Sequence, residues 1–390
     1  MAGTDLTGLR GRSAGPTAPR AVGTRTSGLP RYPRNAAPPV LVEVRRGGVV
    51  ESRHRGHIVQ VDVAGRVERG LGNPHVLVNL RSAVKPFALV ALLESGAADA
   101  FRLNDTELAV MAASHTGEDA HVRTLQAVLR RANISQTLIA CGSEGAPIDR
   151  LTAARLARDG EEPGPIRHMC SGFHVASLLL SRHAAWTMAD YWRPEHGSQV
   201  AARDAVARAF GVAASSLRTS VDSCGVLTYA FPLTDVARAF ALLADPESAS
   251  DAPRRAVAPH LLRVRDAMLN APAMVGGSRD STDTAVMKAR PAALVAKGGA
   301  ESLRGLGLLP GARGRGTTAV GVAIKIDDGD TSGRANRAVT VEALAQLGAL
   351  DERALDRLVE HHRPPVYDPR GVQVGESVAS FELAPISELA

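Results

Sequence analysis

A chain of 390 residues, 45% apolar and 22% charged, is long enough for one large or two ordinary core-bearing domains. Its net charge of +6 does not mark a nucleic-acid binder, because aromatic residues are only 3% of the chain and no Lys/Arg block is interleaved with stacking rings. Three cysteines, Cys141, Cys170 and Cys224, form neither an even framework nor a CxxC pair, which excludes a disulfide scaffold and points to a reducing, cytoplasmic compartment.

Residues 1–38 carry Arg10, Arg12, Arg20, Arg25, Arg31 and Arg34 against the single acid Asp5, among Gly, Pro, Ser and Thr. That composition predicts a disordered basic tail, with no apolar run able to span a membrane or serve as a signal h-region. From Val40, alternation predicts antiparallel strands over 40–44, 49–51 and 58–63, with Gly47-Gly48 as the first turn. A β-rich run over 76–80 leads into helices over 86–95, 104–113 and 118–132, where Asn104 and Glu107 have capping-box spacing. The middle third reads as helices over 149–158, 174–189 and 198–210, with Trp186 and Trp192 assigned to core packing. A strand over 226–231, helices over 233–244 and 253–269, and a strand ending at Lys297 follow. Glycine-rich residues 305–316 read as a loop, 319–326 as a strand, 339–347 and 351–361 as closing helices, and 371–376 as a short strand. This order lacks βαβ alternation. It predicts one α+β layered domain over 39–377, with a mainly antiparallel sheet, flanking helices and a C-terminal tail over 378–390.

The stretch with chemistry in it is Arg81-Ser82-Ala83-Val84-Lys85-Pro86, at a strand-to-helix junction. On a helical turn, Ser82 and Lys85 have Cβ atoms about 5–6 Å apart, close enough for the amine to take the hydroxyl's proton. This is the S-x-x-K arrangement of serine acyl-transfer enzymes, which is followed in chain order by S-D-N and K-T-G fragments. Here Ser114-His115-Thr116 and Lys297-Gly298-Gly299 stand in that order. Gly298 and Gly299 suit a strand edge that lies against a substrate, where no side chain can be tolerated.

Further fragments extend the pattern: Glu51-Ser52-Arg53-His54-Arg55-Gly56, Cys170-Ser171-Gly172 with His174, Asp222-Ser223-Cys224-Gly225-Val226, Met274-Val275-Gly276-Gly277 with Arg279, Asp283-Thr284, and Ile324-Lys325-Ile326-Asp327-Asp328-Gly329. With them the chain resembles the bacterial L-asparaginase II family over about 40–375. The resemblance implies a serine β-lactamase- and glutaminase-like fold, a homodimer, and hydrolysis of L-asparagine to L-aspartate and ammonia. It makes Ser82 the nucleophile with Lys85 beside it, and Ser114 and Lys297 a second serine–lysine pair. Glutaminase or broader amidase activity, or amino-acid binding without turnover, is the alternative. Neither nucleic acid nor membrane is an expected partner.

Arg81, His115, Arg279, Asp222, Gly298 and Gly299 are the expected substrate contacts. Arg279 suits an α-carboxylate, with a salt bridge to Asp283 as its other reading. No cofactor is required. Zinc on Cys170 and Cys224, helped by Asp222, His168 or His174, is weighed against two buried structural cysteines, and spacing favours the cysteines. Phe173 stands where the family has lysine, Ala88 where it has glutamine and Ser302 where it has glycine.

Overall fold

The computed structural model describes residues 36–385, so most of the expected basic tail lies outside the described residues. Valine-rich Val40–Arg46 forms β1 and turns through Gly47 and Gly48, both at positive φ, into β2, Val49–Asp62. The sequence predicts two strands with a break at the charged stretch Ser52–Arg55. Instead β2 runs through it, because neighbours engage the backbone on both sides. Arg53 pairs with Glu43 of β1, while Gly56 to Asp62 pair with Ile326 to Val320 of β9, Val320–Ile326.

The remaining strands are β3 (Val67–Leu71), β4 (Leu77–Asn79), β5 (Arg218–Val221), β6 (Leu227–Pro232), β7 (Leu294–Gly299), β8 (Leu303–Leu308), β10 (Pro365–Tyr367) and β11 (Gln373–Ala379). The main sheet is antiparallel, in the order β10-β11-β1-β2-β9-β8-β7, with β3 on β2. A second sheet has the order β4-β6-β5. The α+β layered architecture is the one the sequence predicts.

Of the glycines of 305–316, Gly311, Gly314 and Gly316 lie in a loop at positive φ as the sequence reads, while Gly305 and Gly307 have a different meaning. Leu303–Leu308 is a strand, not a loop. A Cβ on Gly305 would lie 1.9 Å from the Phe240 ring, and one on Gly321 of β9 would lie 1.8 Å from the Ala237 carbonyl oxygen. These glycines are the seat on which the helix Leu233–Ala244 lies against the sheet. Sequence alone reads glycine as a breaker, and close helix–sheet approach is the competing cause.

Phe87 transmits that helix's position to the candidate nucleophile. It is fully buried in the short helix Lys85–Ala88, edge-to-face with both Phe240 and Phe210 at 5.4 Å, and Phe210 stacks on Phe231 at 4.0 Å. Four of the chain's seven phenylalanines therefore form one cluster linking the sheet-covering helix to the turn bearing Ser82. The predicted capping box of Asn104 and Glu107 is present on the helix Asp105–Met111. Trp186 departs from expectation: it is 40% exposed, edge-on to His196, and a helix that stops at His183 leaves it outside the core. Trp192 packs against the core and carries Arg193 over its ring.

Phe87→Ala should destabilise the protein by about 3–5 kcal/mol, the range for deleting a buried phenylalanine, while Trp186→Ala should stay under about 1 kcal/mol, as surface changes do. Urea unfolding followed by circular dichroism measures both; equal losses would deny the cluster its role.

Candidate active site

β4 ends at Asn79, and Arg81–Val84 forms a single 3-10 turn before the helix starting at Lys85. Arg81 has φ +48, left-handed backbone that a bulky side chain adopts at a cost of about 1–3 kcal/mol. It is held there from the second sheet. Arg81 Nε donates to Asp222 Oδ1 at 2.9 Å and Nη2 to Ser223 Oγ at 2.8 Å, while Leu80 N–H bonds the Tyr229 carbonyl at 2.8 Å. Arg81 and Asp222 thus form an ion pair that sets the turn.

Ser82 is buried within that turn. Among the described residues neither its hydroxyl nor its N–H has a hydrogen-bond partner, as an N–H in a first helical turn has no intrahelical acceptor. Lys85, also buried, sends Nζ to the Ala113 carbonyl at 2.7 Å. That contact ties the Ser-x-x-Lys helix to the next fragment, because Ala113 precedes Ser114.

Lys297, on β7, has no exposed surface. Its Nζ donates to Ser114 Oγ at 2.8 Å and to the Gly298 carbonyl at 2.7 Å, with Asp283 Oδ2 at 3.9 Å. Burial, reinforced by the positive charges of Lys85 and Arg304 and opposed by Asp283, brings its pKa down to about 7. Asp283 accepts from Gly298 N–H at 2.9 Å and pairs with Arg304, whose Nε reaches Asn336 Oδ1 at 2.6 Å. Arg304 and Asn336 escaped sequence reasoning. Nothing local marks them, since Arg304 lies in what reads as a loop flank.

β7 ends the main sheet opposite β10, and its glycines lie where the sequence places them. A Cβ on Gly299 would stand 2.3 Å from the Leu80 carbonyl oxygen, so only glycine lets the strand end touch the Ser82 turn. The structure therefore brings Ser82, Lys85, Ser114, Lys297, Gly298, Gly299 and Arg81 with Asp222 around one edge.

Two other expected substrate contacts are engaged elsewhere. His115 is fully buried; its Nδ1 accepts from Gly117 N–H at 3.1 Å, so Nε2 carries the proton and donates to Ser171 Oγ at 2.9 Å. Burial, the neighbouring His121 stacked 4.7 Å away and Lys85 hold it neutral. Arg279 grips Asp149 with both arms, Nε to Oδ1 at 3.0 Å and Nη2 to Oδ2 at 2.7 Å, and the guanidinium brings that carboxyl down to about 2. Its ion pair is with Asp149, where the sequence offered Asp283. Glu118, which opens the helix Asp119–Arg131, accepts from Ser278 N–H, Ser278 Oγ and Thr116 Oγ1.

Cys170 and Cys224 are free and buried, and the neighbouring Cys170 together with burial raises the Cys224 thiol. They do not fit a zinc site. Among the described residues no three His, Cys, Asp or Glu side chains are grouped to hold a metal, and a tetrahedral ion needs four ligands. Phe173 lines a small apolar cavity with Ala88, Leu92, Ala176 and Leu180 and has no donor atom to add.

A layered α+β domain with two buried lysines and two serines at the edge of an antiparallel sheet has the parts of a serine-type hydrolase. The chain belongs to the L-asparaginase II family, whose model matches residues 42–379, and is a hydrolase acting on amides. No curated protein matches its sequence. Among solved structures, a crystal structure of Mglu is 15% identical, covering 77% of this chain and 69% of that one, at a TM-score of 0.34. A Bacillus subtilis probable glutaminase is 12% identical, covering 76% and 89%, at a TM-score of 0.35. No helix among the described residues is long and apolar enough to cross a membrane.

The depressed Lys297 pKa has a stability signature. Between about 7 and the unfolded value of roughly 10.4 the unfolded chain binds the extra proton, so unfolding free energy should rise with pH across that window. Below about 7 both states are protonated and the full penalty of the buried charge remains. Lys297→Met should flatten the rise, as read from urea titrations at successive pH values; an unchanged slope would mean that the amine does not titrate there.

Proposed function

We propose that the protein hydrolyses L-asparagine to L-aspartate and ammonia by acyl transfer through Ser82. The observation that carries the reading is Lys297: a buried amine titrating near neutrality and bonded to Ser114, in a chain of the asparaginase family. Asparagine, as against glutamine or another amide, rests on the family alone.

In this mechanism Ser82 Oγ attacks the side-chain amide carbon while its proton passes to Lys85. The reacting form is the one in which the proton of the lysine pair sits on Lys297, so that Lys85, with one N–H on the Ala113 carbonyl, has a lone pair for the hydroxyl. The oxyanion that develops is stabilised by the free N–H of Ser82. Collapse breaks the C–N bond, and the nitrogen leaves as ammonia with a proton delivered through Ser114 and Lys297. Water then attacks the acyl ester, returns a proton to the lysine pair and frees aspartate and Ser82. Lys297 suits the shuttle because, at a pKa of about 7, both its forms are populated near neutral pH. The reading carries a homodimer and a cytoplasmic location, the latter supported by three free, buried cysteines.

Ser82→Ala should abolish ammonia release with the fold intact, and Lys85→Met and Lys297→Met should each cost about 10³-fold or more, as for groups acting as one unit. The Ser82→Ala/Lys85→Met double variant should lose little beyond either single change. A coupled ammonia assay on asparagine, glutamine and unrelated amides distinguishes the readings: turnover of glutamine alone would make the protein a glutaminase, and binding without turnover would make it a non-catalytic receptor.

Because the cysteine pair does not fit zinc, activity should survive chelation, and elemental analysis should find no stoichiometric metal. Phe173→Lys should lower KM for L-asparagine without creating a metal site, since lysine adds none of the usual zinc ligands. Stoichiometric zinc whose removal abolishes turnover would reverse this reading of Phe173.

A further inference from the structure

Two of the sequence fragments play no part around Ser82: Glu51-Ser52-Arg53-His54-Arg55-Gly56 and Ile324-Lys325-Ile326-Asp327-Asp328-Gly329. In the folded chain they meet at one arginine. Ser52 and His54 lie on β2, Asp328 follows β9, and all three bear on Arg334, the first residue of the helix Arg334–Gln346. Arg334 Nε donates to His54 Nε2 at 3.2 Å and Nη2 donates to Ser52 Oγ at 3.3 Å, while His54 Nδ1 lies 2.8 Å from Asp328 Oδ2. Since Nε2 accepts, the imidazole proton sits on Nδ1 and is donated to the carboxylate. Ser52 and His54 therefore pin the guanidinium, yet neither is an acid. Among the described residues Arg334 has no ion pair, and its Nη1 is uncommitted.

Arg334 faces a cavity of about 580 Å³ that Arg150 and Arg337 also line. Arg150 is exposed and makes no hydrogen bond or ion pair among the described residues. Arg337 donates to Asp280 at 2.9 Å and to the Gly333 carbonyl at 3.2 Å. Of the acids on the wall, Asp280 is thus taken and Glu360 remains, against three guanidinium groups. Pro365, Val366 and Tyr367 form an apolar side. A neighbouring cavity of about 460 Å³ shares Asp280, Ser332 and Arg337 and reaches Gly299, so one groove runs from the β7 end to this arginine cluster.

A guanidinium held in one orientation, with donor N–H bonds turned to a concave surface, suits a planar or tetrahedral oxyanion that can accept two parallel hydrogen bonds. Pinning by Ser52 and His54 lowers the ordering cost that a mobile surface arginine would incur on binding. We propose that this end of the groove is a binding site for a small oxyanion, a carboxylate or a phosphate, held by Arg334 and Arg150, with Arg337 adding charge and the Tyr367 wall covering any apolar part of the ligand. The proposal does not depend on which amide the Ser82 centre hydrolyses.

Isothermal titration of the full-length protein with inorganic phosphate, and separately with acetate, tests it at fixed ionic strength. Saturable binding of at least one anion is expected, weakened roughly tenfold by Arg334→Gln and by Arg150→Gln, the loss of one charge-assisted hydrogen bond. Arg150 has no structural partner to lose, so its variant reports on binding even if Arg334→Gln perturbs the fold. A phosphate preference identifies a phosphorylated ligand, and an acetate preference identifies a carboxylate. Both variants should keep wild-type ammonia release. No saturable binding of either anion, or equal affinity in the wild type and both variants, overturns the proposal.

Discussion

Burying the Lys297 ammonium is the constraint around which the edge of the candidate site is assembled. An amine with no exposed surface must find acceptors or lose its proton, and here it does some of each. Ser114 Oγ and the Gly298 carbonyl take its N–H bonds, and Asp283 stands close enough to moderate the loss of charge without cancelling it. Asp283 is itself anchored by Gly298 N–H and Arg304, and Arg304 by Asn336. One amine therefore couples β7, β8, the helix Thr282–Ala289, the helix Arg334–Gln346 and the Ser114 loop. The arrangement does not maximise stability, since a buried charge is costly; its consequence is an amine whose pKa falls to about 7.

The candidate nucleophile reaches that edge through backbone, not side-chain, contacts. Gly299 permits β7 to lie against Leu80 and Ala83, and Arg81 accepts a left-handed conformation because Asp222 and Ser223 hold its side chain. From the other side Phe87 locks the Lys85 helix to Phe210 and Phe240. Strain in the turn is thus offset by packing one residue layer away.

Two positions that set this chain apart, Phe173 and Ala88, meet in space. They line the same apolar cavity. A ring and a methyl group at these two positions bring no buried polar atom that would need a partner. Cys170 and Cys224 stay free and buried.

Alternation and motif spacing were enough to predict the antiparallel sheet, most helices, the Asn104 capping box and the order of Ser82, Lys85, Ser114 and Lys297, because these are set by residues near one another in the chain. Sequence alone missed whatever depended on approach between distant segments. Gly305 and Gly307 read as loop residues until the helix Leu233–Ala244 was seen to lie on their strand, where a Cβ on Gly307 would stand 2.5 Å from the Phe240 carbonyl oxygen. Arg279 could have served Asp283 or a substrate, and the fold gave it Asp149. Arg304, with no local signature, became the partner of Asp283 because β8 pairs Arg304 with Gly298 across the hairpin. Local periodicity and motif chemistry determine which groups are present and in what order. Only tertiary packing decides which charges share a site, because ion-pair choice and pKa depend on distances and burial that sequence separation does not encode.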